Sequence, residues 1–185
     1  MRILTICPSK YPEKLETMLD TFTVTRSNNT NIIINYEKDS ITKIFNKVFE
    51  NNPDYDFYFM ANDDICFNTP LWDVELAEKN KISYGNDLLQ GQDLCTFPMI
   101  DGNIVRSLGW LQMPTLEKYC GDVVWRFIGK QCGCLSYHGN VFIKHNWLGE
   151  VDNETHSKDK EAFARWLPWS MKDIRKVKEV INGIS

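Results

Sequence analysis

The stretch Tyr55–Asp64, with the sequence YDFYFMANDD, decides how the rest of the chain is interpreted. Its aromatic and apolar part predicts a buried strand over Tyr55–Ala61, which runs directly into the polar triplet Asn62–Asp64. Adjacent carboxylates repel each other, and a bound cation relieves this repulsion. A solvated turn is the alternative, because Asn and Asp are common turn residues. The apolar residues on both sides of the triplet favour a functional site.

Upstream of this strand, apolar residues alternate between strand and helix spacing. The runs Arg2–Cys7 and Ile32–Ile34 predict two further buried strands. Helical spacing predicts one helix over Pro12–Val24 and another over Ile41–Phe49, the second with Ser40 as its N-cap. Such alternation is typical of a parallel α/β sheet with right-handed crossovers. Ligands in these sheets bind at the carboxyl ends of the strands, and the acidic triplet follows one of those ends.

The chain after Pro70 has a less regular pattern. We expect a single domain, with a nucleotide-binding half over about residues 1–100 and an acceptor-facing half over about residues 101–185. The predicted elements of this part are a helix over Trp72–Lys79, a strand over Ile82–Gly85, an extended segment over Leu94–Ile100, helices over Gly102–Leu108 and Asp122–Ile128, a strand over Asn140–His145, and a helical region over Phe163–Ile181 interrupted near Pro168.

The bulk composition narrows the class of protein. The chain has 185 residues, is 43% hydrophobic and carries a net charge of −4. An acidic chain is a poor general binder of phosphate backbones, and we expect the basic stretch Lys172–Lys178 to be a solvated helix face. Neither a signal peptide nor a run of ~20 apolar residues is present. We therefore expect a soluble, cytoplasmic protein without a membrane span.

Cysteines and histidines are the next residues to consider as metal ligands. We expect the six cysteines to be free thiols, and the single-residue spacing of Cys132 and Cys134 disfavours a zinc site. His145 ends the predicted late strand, and imidazole is an acceptable ligand for manganese, although a structural role is the alternative. His138 is the competing candidate, and His156 lies in a polar stretch and is less favoured.

Short motifs follow one another in order from Cys7 to about Trp166. They are Cys7-Pro8-Ser9, the strand into Asp63-Asp64, Thr69-Pro70-Leu71-Trp72-Asp73, Tyr84-Gly85-Asn86-Asp87, Leu108-Gly109-Trp110, Asp122-Val123-Val124-Trp125, and the strand into His145. This order resembles the GT-A glycosyltransferases, in particular the family-two-like group and the short glycosyltransferase-like proteins of phages and viruses. The resemblance implies an α/β fold of the GT-A type, with a Rossmann-like nucleotide-binding half and a mixed central sheet flanked by helices.

The resemblance also implies a metal site. Asp64 and His145 would bind Mn²⁺ or Mg²⁺, which bridges the diphosphate of a nucleotide-sugar donor. Asp63 would contact the ribose or the phosphates. Asn62 stands at the first position of the motif, where the family more often has aspartate.

Other residues would bind the donor. By the same resemblance, Pro8 and Ser9 would touch the nucleotide, and Asp39 would face its base, with Glu37 as the alternative. Asp87 is a weaker candidate for sugar or acceptor hydroxyls. The tryptophans are expected to be mostly core residues, with stacking on a sugar or base as the alternative; they include Trp72, Trp110, Trp125 and Trp147.

The implied activity is transfer of a sugar from a nucleotide-sugar donor, a UDP-sugar in the first instance, to a hydroxyl acceptor. Asp122 would be the general base for that hydroxyl, and an N-cap role is its alternative or additional interpretation. A modified DNA base, a glycan and a small molecule are the candidate acceptors. A nucleotidyltransferase and a non-catalytic nucleotide-sugar-binding or glycan-binding protein are the rival hypotheses.

Overall fold

A seven-stranded mixed sheet forms the centre of the protein. The structure is a computed structural model that describes residues 1–9, 15–146 and 151–184. The strands are β1 (Ile3–Pro8), β2 (Thr30–Asn35), β3 (Phe57–Met60), β4 (Ile65–Phe67), β5 (Ile82–Asn86), β6 (Met99–Asp101) and β7 (Leu135–His145). They lie in the order β2-β1-β3-β6-β5-β7-β4.

The sheet has a parallel part and a mixed part. Strand β1 pairs in parallel with β2 and β3, as the alternation of strands and helices predicts. Strand β6 is antiparallel to both β3 and β5. Strand β7 is parallel to β5 in its first half and antiparallel to β4 in its second. The α/β class and the mixed sheet flanked by helices are therefore confirmed.

Seven helices flank the sheet in the described chain. They are α1 (Leu15–Thr25), α2 (Ile41–Asn51), α3 (Trp72–Leu76), α4 (Gly102–Leu108), α5 (Gly121–Cys132), α6 (Asn153–Trp166) and α7 (Met171–Ile181). Ser40 caps α2 as predicted, because its side chain accepts a hydrogen bond from the Lys43 N–H at 3.3 Å. No helix in the described ranges is long and apolar enough to span a bilayer.

Two hydrophobic clusters bury the two faces of the sheet. In β1, Leu4 and Ile6 belong to one cluster and Ile3 and Cys7 to the other, because successive side chains of a strand point to opposite faces. The first cluster also contains apolar residues of α2, α4 and α5, and the second contains residues of α1 and α3. Of the four tryptophans named above, Trp72, Trp110 and Trp125 are buried, as expected for core residues, and Trp147 lies outside the described residues.

Several predicted boundaries were wrong. Helix α3 ends at Leu76 rather than Lys79, and only the last part of Leu94–Ile100 is strand. Both α5 and β7 are longer than predicted, and α6 begins at Asn153 rather than Phe163. Strand β4 was not predicted, because three residues are too few to show a period.

Other boundaries agree with the sequence. Helix α4 has the predicted bounds, and the helical region does break at Pro168, where a short 3₁₀ turn spans Leu167–Trp169. Pro12, the expected start of the first helix, lies outside the described residues. The division into a donor half and an acceptor half stays a prediction.

Candidate active site

Ser9 and Asp63 meet at the carboxyl ends of β1 and β3. The Ser9 hydroxyl donates a hydrogen bond to Asp63 Oδ2 at 2.7 Å, and its backbone N–H donates to the Asn35 carbonyl at 3.0 Å. Ser9 is buried and Asp63 is half-buried. Pro8 is the last residue of β1, directly before this contact. Ser9 and Asp63, both predicted to contact the nucleotide, are thus brought together because β1 and β3 pair in parallel and end side by side.

Asp64 and His145 are brought together by β4 and β7. The antiparallel pairing aligns Ile65 with His145, and the Asn146 N–H donates to the Asp64 carbonyl at 2.8 Å. His145 Nε2 lies 3.4 Å from Asp64 Oδ2, and both side chains are largely shielded from solvent. The predicted metal pair therefore consists of adjacent side chains on neighbouring strands.

The ring of His145 is held from two further directions. Its backbone N–H donates to the Asp87 carbonyl at 3.1 Å. The ring of Phe97 packs edge-on against the imidazole, with centroids 5.0 Å apart. Phe97 is buried and has a φ of 48°, a left-handed conformation that costs energy for a bulky residue and is often found at functional sites. The sequence analysis missed Phe97, because no local pattern marks such a residue.

Polar atoms of the pair lack partners. Asp64 Oδ1 and His145 Nε2 are buried and have no hydrogen-bond partner in the part of the chain that the structure describes. Within the same ranges, no lysine or arginine forms an ion pair with Asp63 or Asp64. Unsatisfied buried polar atoms are costly, and a ligand or ion at this position would satisfy them.

Asp64 and His145 suit a divalent ion whose coordination shell is completed by other ligands. Carboxylate oxygen and imidazole nitrogen suit Mn²⁺, and oxygen ligands suit Mg²⁺. The described residues include no group of three or more His, Cys, Asp or Glu side chains that could hold a metal ion. Asp64 and His145 would therefore supply two ligands, and the remaining ligands would come from substrate or water.

The carboxylates also affect the thiol beneath them. Burial raises the pKa of Cys7 well above its usual range, and the charges of Asp63 and Asp64 raise it further. The thiol is thus kept neutral.

Asp87 is a buried carboxylate that is only half satisfied. Its Oδ1 accepts hydrogen bonds from the backbone N–H groups of Leu89, Gln90 and Gly91 at 2.7 to 3.0 Å. The residue is 1% exposed, and its Oδ2 has no hydrogen-bond partner among the described residues. One oxygen therefore anchors the loop after β5, and the other is available to a ligand hydroxyl.

Asp122 lies in the first turn of α5, although not as its N-cap. Cys120 occupies the N-cap position, so the predicted capping role of Asp122 is wrong. Its Oδ1 accepts a hydrogen bond from the Val123 N–H at 2.8 Å. Burial raises the pKa of Asp122, and the charge of Asp87 adds to the rise, while the Val123 N–H and a protonated His156 oppose it. The Asp87 carboxylate is thus close enough for its charge to affect the pKa of Asp122.

His156 lies nearer to this region than the sequence suggested. Its ring packs against Tyr119, with centroids 5.2 Å apart. Buried Asp159, one turn later on α6, accepts hydrogen bonds from the backbone N–H groups of Glu117, Lys118 and Tyr119 at 2.6 to 2.9 Å. These bonds hold α6 against the segment that leads into α5.

His138, the competing histidine, belongs to a separate cluster. Its Nε2 lies 3.1 Å from Glu78 Oε2 and 3.3 Å from the hydroxyl of Ser136. The structure shows no contact between His138 and the acidic triplet. Among the three histidines, the structure therefore places only His145 beside Asp64.

The predicted base-contact residues are exposed. Asp39 lies 3.1 Å from Lys43, and the N–H of Ser40 together with this lysine lowers the pKa of Asp39. Glu37 lies 2.7 Å from Lys47. Neither carboxylate is joined to the acidic triplet by a described hydrogen bond, so the choice between them stays open. Asn62 is half-buried between the end of β3 and Asp63.

Comparison with known proteins identifies a similar fold. Neither a protein-family model nor a curated protein matches the sequence. The crystal structure of A197 from STIV is similar, with a TM-score of 0.54 and 15% sequence identity over 82% of this chain and 87% of that chain. At this level of identity, the similarity extends to the fold of most of the chain.

Proposed function

We propose that this protein is a metal-dependent glycosyltransferase of the GT-A type that uses a nucleotide-sugar donor, with a UDP-sugar as the first candidate. The observation that carries the proposal is the pair Asp64 and His145, whose buried polar atoms lack partners within the described chain. The pair lies beside the Ser9–Asp63 contact, where strands β1 and β3 end. Nucleotides bind at such strand ends in α/β sheets.

The metal would be held by Asp64 and His145. A bound divalent ion would neutralise the negative charge that grows on the departing diphosphate. Asp63, oriented by Ser9, would contact the ribose or phosphates, with Pro8 and Asn62 beside them. Asp39 or Glu37 would face the base.

Asp122 would act as the general base. In the reaction, the bond between the anomeric carbon and the diphosphate breaks, and a bond to the acceptor oxygen forms. The proton of the acceptor hydroxyl passes to the Asp122 carboxylate. Burial raises the pKa of Asp122, which makes its ionised form a stronger base. Asp87 Oδ2 would accept a hydrogen bond from a hydroxyl of the sugar or the acceptor.

Nucleoside diphosphate release tests the proposal. The full chain is incubated with Mn²⁺ and a panel of nucleotide sugars. When no acceptor is known, slow transfer of the sugar to water serves as the readout, because it also releases nucleoside diphosphate. We expect release with at least one donor and a loss of at least about 100-fold in the Asp64→Asn variant. The exposed Asp20→Asn variant is the matched control and keeps wild-type activity, because Asp20 lies on the outer surface of α1.

Other results would contradict the proposal. Release of pyrophosphate from a nucleoside triphosphate would indicate a nucleotidyltransferase. Tight donor binding without turnover, by calorimetry, would indicate a non-catalytic binding protein. Equal activity of the Asp64→Asn and Asp20→Asn variants would exclude Asp64 from the site.

A further inference from the structure

Two thiols meet at the junction of α5 and β7, away from the residues of the proposed site. Cys132 ends α5, and Gly133 follows with a φ of 68°. The Cys134 N–H donates to the Gly129 carbonyl at 2.9 Å, which closes the helix. This left-handed turn leaves a single glycine between the two cysteines, and their thiols perturb each other's pKa. Glycine favours the turn because it adopts positive φ at little cost.

The two thiols have different surroundings. Cys132 is half-buried, whereas Cys134 is 1% exposed. The hydrogen bond from Cys134 lowers the pKa of Cys132, and the charge of Lys178 adds to this effect. The same hydrogen bond, together with burial, raises the pKa of Cys134. The outer sulfur is therefore the more easily ionised and the more accessible of the two.

The other cysteines lack this arrangement. Cys7, Cys95 and Cys120 are buried, and burial raises the pKa of each thiol. Cys66 is half-buried, and its sulfur accepts a hydrogen bond from the Asn146 side chain at 2.9 Å. Among the described cysteines, Cys132 and Cys134 are the pair whose sulfur atoms interact.

We propose that Cys132 and Cys134 form a thiol–disulfide exchange site for low-molecular-weight disulfides, in which Cys132 attacks and Cys134 resolves. This inference is independent of the proposed glycosyl transfer. It rests on the glycine turn that joins the two cysteines and on the difference in their exposure, and the mutual effect of the two thiols on their pKa values supports it. Residues two apart across such a turn are close enough for a disulfide without a large backbone movement.

The external disulfide is the oxidant in this exchange. The Cys132 thiolate attacks one sulfur of the external disulfide, whose S–S bond breaks, and the first external thiolate leaves and takes up a proton. Cys134 then loses its proton and attacks the Cys132 sulfur of the mixed disulfide, which breaks the mixed S–S bond. The second external thiolate leaves and takes up a proton. Two protein thiols are oxidised to one disulfide, and one external disulfide is reduced to two thiols.

Oxidation would also alter a helix contact. The Cys132 thiol donates a weak hydrogen bond to the Ile174 carbonyl of α7 at 3.6 Å. A disulfide sulfur carries no hydrogen and cannot donate. Oxidation would therefore remove this hydrogen bond between α5 and α7.

Glutathione disulfide is the probe that tests the inference. The reduced, folded full chain is incubated with it, quenched with an alkylating agent, and analysed by peptide mass spectrometry. We expect the wild-type peptide to lose two hydrogens by forming the Cys132–Cys134 bridge. Cys134→Ser should retain a glutathione adduct on Cys132, because the resolving thiol is absent. Cys132→Ser should form an adduct on Cys134 at least about tenfold more slowly than Cys134→Ser forms one on Cys132.

Cys66 is the internal control, because it is half-buried and has no second thiol beside it in the described chain. Melting curves establish that both serine variants are folded before the exchange is measured. The inference is overturned if both wild-type cysteines remain alkylated after glutathione disulfide treatment. It is also overturned if Cys132 in the Cys134→Ser variant reacts no faster than Cys66 does.

Discussion

At the scale of single residues, the three carboxylates to which the proposal gives roles have different surroundings. Asp63 is bound by the Ser9 hydroxyl, and Asp64 faces His145. Asp122 is half-buried, and desolvation raises its pKa. Carboxylates that differ in this way can divide nucleotide binding, metal binding and proton transfer among themselves. These differences come from local environment rather than from residue type.

The pKa of Asp122 leads to a prediction about stability and activity. Because its pKa is raised in the folded state, ionised Asp122 destabilises the fold, and this penalty disappears as the pH falls through the folded pKa. We expect Asp122→Asn to reduce turnover by about 10²- to 10⁴-fold. We also expect it to raise Tm at pH 7 by on the order of 1–3 °C. Thermal melts at pH 7 and pH 4 measure the second effect.

The comparison between the two pH values is decisive for this prediction. The gain in Tm should shrink at pH 4, where wild-type Asp122 takes up a proton. An equal gain at both pH values, or a lower Tm of the variant at pH 7, would contradict the assignment. The exposed Asp20→Asn variant should show neither effect.

At the scale of elements, a register shift in β7 makes the Asp64–His145 contact. Up to His138, β7 follows β5 residue by residue, but Asn86 then aligns with Phe142. The bulge lets the end of β7 continue beside β4, where His145 aligns with Ile65. Bulges of this kind reorient side chains near functional sites.

Gly85 permits this bulge, and the Gly85→Ala variant tests its role. A Cβ at this position would lie 2.5 Å from the Val141 carbonyl oxygen, so the strands would have to separate. We expect a loss of about 1–3 kcal/mol in the free energy of unfolding. We also expect weaker Mn²⁺ binding, measured by calorimetry with donor present, because the path of β7 toward His145 is displaced.

Gly139→Ala is the control in the same bulge. Gly139 is exposed, and the nearest atom to an added Cβ there belongs to the Tyr137 ring, at 3.2 Å, and not to the backbone. Its effect on stability should be much smaller than that of Gly85→Ala. Equal losses for the two variants would show that the close approach to Val141 has no special role.

At the scale of the whole molecule, the proposed site draws on elements from most of the chain. Ser9 follows β1, Asp63 and Asp64 follow β3, and His145 ends β7. Ligands that bind only the folded state stabilise it by mass action, by about 2.7 kcal/mol when the free ligand is at 100 times Kd. Binding of metal and donor together should therefore stabilise the entire fold.

This coupling predicts a shift in Tm. We expect Mn²⁺ with UDP to raise Tm by about 5–10 °C at saturating concentrations. A chelator should reverse the rise, and His145→Ala should abolish most of it. A rise of equal size in the His145→Ala variant would show that the ions bind elsewhere.

The sequence by itself determined the local elements and the position of the acidic triplet. Apolar spacing over Arg2–Cys7, Ile32–Ile34 and Tyr55–Ala61 predicted three strands that the structure contains. It also predicted α2 with its Ser40 cap, and the bounds of α4. These features are local, because periodicity and capping depend on residues only a few positions apart.

Only the tertiary structure decided which distant residues meet. It inserted β6 antiparallel between β3 and β5, and it paired the short β4 with the end of β7. It also placed Phe97 against His145 in a left-handed conformation, and it placed Asp122 in the first turn of α5 rather than at its N-cap. Such contacts arise from strand pairing and packing between segments far apart in the chain, and the side-chain period of a single segment carries no information about its partner.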